Sequence, residues 1–101
     1  MKHVCEQGTL TLYLEGELNS VTSGEAEKEI DAIIGQCQFD SLVFDMEKVS
    51  YVSSAGLRIF VRLMQRYERF TLTRVPELAY SVLEMVGMTQ MLNVERLGEG
   101  R

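Results

Sequence analysis

At 101 residues, 46% of them hydrophobic and 25% charged, the chain has the composition of one soluble globular domain with a single modest core. No apolar run approaches the ~20 residues a bilayer crossing needs, which excludes direct membrane insertion by a helix. A net charge of −5 argues against nucleic acid as the main partner, because phosphate binding needs a basic surface.

In chain order, the start Met1-Lys2-His3-Val4-Cys5-Glu6 has no apolar block and no small-residue cleavage site. No signal peptide is expected, and the cytoplasm is the expected location. Residues 2–6 give a weak strand signal and Gln7-Gly8 a tight turn. Thr9–Glu15 then alternates Leu10, Leu12 and Leu14 against Thr11, Tyr13 and Glu15, the period of a half-buried strand. A β-hairpin therefore opens the fold, followed by a loop over Gly16–Ser20.

Thr22-Ser23-Gly24-Glu25 has the spacing of a capping box. Ala26, Ile30, Ile33 and Ile34 recur behind it at helical spacing, which predicts an amphipathic helix ending near Gly35. Ser41–Met46 contains the unbroken apolar run Leu42-Val43-Phe44 and reads as a strand covered on both faces. A second helix spans roughly Ala55–Tyr67, and Phe70–Arg74 alternates as a further strand. Pro76 fits the first turn of a third helix with Gly87 as its stop, and Met88–Leu97 adds a short turn and an edge strand. The order ββαβαβα(β) predicts an α/β fold. It is a single domain over residues 1–101, with a mixed sheet of about four to five strands and helices packed on one face.

Few residues could carry catalysis. Cys5 and Cys37 stand alone and read as free, core-filling cysteines, and His3 is the only histidine. Neither the Glu15/Glu17 nor the Asp45/Glu47 pair reads as more than strand-end punctuation, and no phosphate-cradling glycine motif is present. A non-enzymatic protein without metal or cofactor is expected.

The informative stretch is Val49-Ser50-Tyr51-Val52-Ser53-Ser54-Ala55-Gly56-Leu57, where a loop turns into the second helix. Either Ser53 or Ser54 can cap that helix, with Ala55 and Gly56 packed closely on the sheet. Backbone N–H groups and the positive dipole end also make the site hospitable to a phosphate on serine. Along the helix, Arg58, Arg62, Arg66 and Arg69 fall on the face opposite Ile59, Phe60, Leu63, Met64 and Tyr67. Serine and arginines could form one docking surface for an acidic partner.

With these residues placed, the chain resembles the STAS domain of sulfate transporters and bacterial anti-sigma factor antagonists, over nearly its whole length. The resemblance rests on Gly16-Glu17-Leu18-Asn19, on Leu42-Val43-Phe44-Asp45-Met46 leading to Val52-Ser53-Ser54-Ala55-Gly56-Leu57, and on Arg74-Val75-Pro76-Glu77 with Leu83-Glu84-Met85-Val86-Gly87-Met88. It implies a mixed sheet with helices stacked on one side, and a module that binds an anti-sigma factor, often a serine kinase. That kinase phosphorylates a serine at the start of the second helix, and a phosphatase reverses the modification. Ser54 occupies the matching position. Ser53 stands where the family usually has aspartate, and Ala55 where it has serine or threonine, so Ser54 is the expected acceptor with Ser53 as alternate. The expected partner-binding set is Asn19, Ser53, Ser54, Ala55, Gly56, Arg58 and Arg62, in a monomer or weak dimer. The alternative the resemblance implies is a STAS subunit of a transporter or stress-signalling complex that docks without phosphorylation.

Overall fold

A computed structural model describes residues 1–98. Its elements are β1 (Lys2–Glu6), β2 (Thr9–Leu18), α1 (Ser23–Gln36), β3 (Ser41–Val52), α2 (Ser54–Arg66), β4 (Phe70–Val75), α3 (Glu77–Met85), a 3₁₀ turn (Met88–Gln90) and β5 (Asn93–Arg96). Gln7 and Gly8, at φ 53° and 79°, supply the two left-handed residues of a type I′ turn, and Glu6 faces Thr9 across it. The five strands lie in the order β1-β2-β3-β4-β5, with β1 antiparallel to β2 and the remaining neighbours parallel.

Alternation decides which face the helices cover. Leu10, Leu12, Leu14, Leu42, Phe44, Met46, Phe70 and Leu72 point to one side and are buried with Ile30 and Ile33 of α1, Ile59, Phe60 and Leu63 of α2, and Ala79 and Leu83 of α3. Phe44 anchors this layer, edge-on to Phe60 at 5.9 Å and to Phe70 at 5.0 Å between ring centroids. Thr11, Tyr13, Val43, Thr71 and Thr73 point the other way and stay half-exposed. The expected mixed sheet with helices on one face is the observed one.

Three local expectations change. Gly16–Leu18 is strand rather than loop, and β3 runs on past Met46 to Val52, so that Gly16, Glu17 and Leu18 face Val49, Tyr51 and Val52. Register shifts on either side of Glu15–Gly16 break the period-two pattern, and Gly16 (φ 79°) supplies the left-handed residue there. Val49 and Val52 are buried at intervals of three, which period two does not anticipate.

The capping box does not form: Thr22 makes no side-chain cap to α1. Its hydroxyl donates to the Glu17 carbonyl and accepts from the Asn19 N–H at 3.0 Å. Cys5 and Cys37 are not free; they form a disulfide with Cα atoms 6.7 Å apart, within the span such a bridge needs. A sequence separation of 32 hid the pair, because only the hairpin and α1 together bring β1 beside the C-terminus of that helix.

Candidate docking site at the start of helix α2

Strand β3 delivers the chain to Ser53, whose backbone is extended (φ −95°, ψ −179°), the geometry an N-cap prefers. The Ser53 hydroxyl accepts from the Ala55 N–H at 3.2 Å, and the Ser53 N–H donates to the Leu18 carbonyl at 2.8 Å. Of the two serines able to cap α2, Ser53 does so. Ser54 becomes the first helical residue; it is exposed, and its hydroxyl has no hydrogen-bond partner among the described residues.

The close packing expected of Gly56 is observed and is severe. A β-carbon at Gly56 would lie 2.8 Å from the Leu18 Cβ, 2.9 Å from the Leu18 carbonyl oxygen and 3.0 Å from a Val52 methyl. Only glycine lets the first turn of α2 sit on the ends of β2 and β3. Ala55, half-buried beside it, contributes its N–H to the Ser53 cap.

Asn19 lies on the neighbouring loop and works inward. Its Oδ1 accepts from the N–H groups of Val21 (2.8 Å) and Thr22 (3.0 Å), while its Nδ2 donates to Glu17 at 2.9 Å. It therefore shapes the β2–α1 connection, whose tip leaves Val21 84% exposed. Tyr51, three residues before Ser54, is exposed as well. These two apolar groups were not anticipated, and their exposure could not be seen in a sequence where both fall outside a clear periodic pattern.

The arginine stripe divides. Arg58, one turn after Ser54, is exposed and makes no ion pair among the described residues. Arg62 is turned onto α1, its Nε on Glu27 at 2.7 Å and its Nη2 on Asp31 at 2.8 Å. The hydrogen bond to Asp31 foremost holds the Arg62 guanidinium above its ordinary pKa; burial opposes it, and the hydrogen bond to Glu27 adds to it. Arg66 lies over the Tyr67 ring at 5.5 Å at the far end of the helix, while the exposed Arg69 lies beyond α2, just before β4. Ser54 and Arg58 thus share one end of α2, while Arg62 ties the helix to α1.

Asp45 and Glu47, expected as punctuation at a strand end, lie within β3 instead and form a second charged cluster with Arg74. Asp45, the one buried charged residue described, accepts from the Glu47 N–H at 3.1 Å and pairs with the Arg74 Nε at 3.1 Å; the same guanidinium reaches Glu47. Arg74 adopts φ 52°, a left-handed conformation unusual for its residue type. Its ion pairs join β3 to β4 where β3 turns toward Ser53.

No curated protein matches this sequence. Among solved structures, an anti-sigma factor antagonist from Mycobacterium paratuberculosis superposes with a TM-score of 0.83 at 18% identity, over 93% of this chain and 82% of its own. The anti-sigma factor antagonist SpoIIAA in its unphosphorylated form gives 0.73 at 18% identity, over 92% and 85%. A Thermotoga maritima chain gives 0.83 at 15% identity, over 93% and 84%. At such identities the likeness concerns the fold. The family profile of the STAS domain, however, matches residues 2–97, from the first strand through the last, and on that match this chain belongs to the STAS domain family.

Proposed function

We propose that this chain is an anti-sigma factor antagonist: a cytoplasmic, non-enzymatic module that sequesters an anti-sigma factor, itself a serine kinase, and is switched by phosphorylation at Ser54. The observation that carries the reading is the division of labour between the two serines. Ser53 is committed to the helix cap, while Ser54 presents an unpartnered, exposed hydroxyl at the first helical position. A phosphate there would meet free N–H groups and the positive end of the helix dipole, so α2 could accept it without unwinding. It would also add about −1.5 to −2 charges one turn from Arg58, which alters any surface that both residues present. Ser54 and Arg58 are the proposed contact groups; Asn19, Ser53, Ala55 and Gly56 hold the surface in shape, and Arg62 fixes its angle to α1.

Two solved structures of similar fold are of anti-sigma factor antagonists, one of them in its unphosphorylated form, which supports the reading. Incubation with the cognate anti-sigma kinase and ATP is expected to add one phosphate, lost in Ser54→Ala, and Ser54→Asp is expected to weaken the complex at least tenfold. Unchanged affinity in Ser54→Asp would remove the switch. Stable docking of an unmodified chain into a transporter or stress-signalling assembly would point instead to the second reading, in which the same exposed face works without a phosphatase or kinase.

A further inference from the structure

The Cys5–Cys37 bond joins the edge strand β1 to the residue that caps the C-terminus of α1. Little else fastens β1 to the body of the protein. Of its five residues only Val4 is even half-buried. Apart from the ladder to β2, its attachments are the terminal ammonium of Met1 on Glu29 at 3.3 Å and Lys2 over the Tyr13 ring at 5.6 Å. With Glu29 and Lys2 themselves exposed, such contacts hold weakly. Beneath β1 lies β2, whose other edge is paired with β3, so β1 is the cover of an otherwise open strand edge. Cys5 is exposed, which leaves the bond within reach of an attacking thiolate. An exposed disulfide that binds a thinly held edge strand is the arrangement of a reversible clasp more than of a core staple.

We propose that Cys5 and Cys37 form a redox-sensitive latch on strand β1. Oxidised, the pair pins the hairpin against the end of α1; reduced, β1 opens and closes on β2 and the outer edge of β2 becomes accessible. The reductant is a small monothiol of the glutathione class. One thiolate attacks a sulfur of the pair, forms a mixed disulfide and expels the other cysteine, which takes up a proton. A second thiolate then attacks the mixed disulfide, frees the second cysteine to take up its proton, and leaves with the first as the reagent's own disulfide. The protein gains two electrons and two protons, and two monothiols are oxidised. At its other end β1 helps wall a groove of about 550 Å³, lined also by Leu18 and Thr22, so its release loosens the flank of the loop beside the seat of α2. The latch stands on this geometry alone and does not depend on the docking function.

The test equilibrates the full chain with oxidised or reduced glutathione, counts reactive thiols with a chromogenic disulfide reagent, and follows backbone hydrogen exchange. No reactive thiol is expected in the oxidised sample and both cysteines in the reduced one. Exchange at the β1 amides should rise by about tenfold or more on reduction, and by more than at β3. The melting temperature should fall by about 15 °C or more, as expected for opening a loop of this length in a small domain. Cys5→Ser and, separately, Cys37→Ser should each show the fast β1 exchange of the reduced protein whichever glutathione is present, and each should present one reactive thiol after reduction. Two reactive thiols after treatment with oxidised glutathione, or equal β1 protection in both states, would overturn the latch.

Discussion

Helices α1 and α2 begin in similar ways: each follows a strand, each opens on serine, and each has a glycine in its first turn. The starts are built differently. At α1, the cap is made of loop: Asn19, Thr22 and Glu17 bond to one another, and Gly24 has nothing within 4 Å of where a β-carbon would be. At α2, Ser53 is tied to Leu18 and caps the helix, and Gly56 is pressed against two strands. A site meant to present one hydroxyl in a fixed place belongs on the second kind of seat, because the core rather than a loop sets its position.

The sharpest way to break this comparison is Gly56→Ala. A helix interior ordinarily favours alanine over glycine by up to about 1 kcal/mol. Here the new methyl meets a backbone carbonyl and a β-carbon, neither of which can swing aside. The expected net loss is about 2 kcal/mol in denaturant unfolding, with α2 displaced from Leu18 and partner binding weakened along with it. A stabilised Gly56→Ala protein would show that the seat yields.

Ser53→Ala tests the cap itself. The Ala55 N–H loses its acceptor, and the expected cost is about 1 kcal/mol of stability by denaturant midpoint. Phosphate acceptance by Ser54 should survive, since the helix start remains anchored through the Ser53 N–H to Leu18. Movement of the phosphate to residue 53 in the wild-type protein would reverse the roles of the two serines.

Gly24→Ala is the opposite-signed partner of Gly56→Ala. With open space around it and no left-handed backbone, Gly24 gains helix propensity and loses nothing, so a gain of about 0.7 kcal/mol is expected. The same chemical change thus carries opposite signs at two helix starts.

Much of this was legible in the residues, and the pattern of success is physical. Strict alternation over Leu10–Leu14, the Gln7-Gly8 turn and the small pair Ala55-Gly56 are local signals, and the fold and the seat of α2 obey them. What local pattern could not carry was long-range pairing. Gly16–Leu18 looks like loop until Val49–Val52 lies beside it, and Thr22 with Glu25 looks like a capping box until Asn19 and Glu17 compete for the same hydroxyl. Arg62 looks like a member of an open stripe until α1 packs alongside with Glu27 and Asp31. The two cysteines looked solitary for the same reason.

The smallest expected effect on stability is the most telling for function. Ser54→Ala removes an exposed hydroxyl with no partner among the described residues, from a position where alanine is a good helix former. Its unfolding free energy should stay within about 0.5 kcal/mol of the parent, unlike that of Ser53→Ala one residue earlier. If adjacent serines differ in this way, the first belongs to the architecture and the second is free to be modified. A loss at Ser54 as large as that at Ser53 would mean that both hydroxyls hold the helix, and the division of labour that supports a switch at Ser54 would be gone.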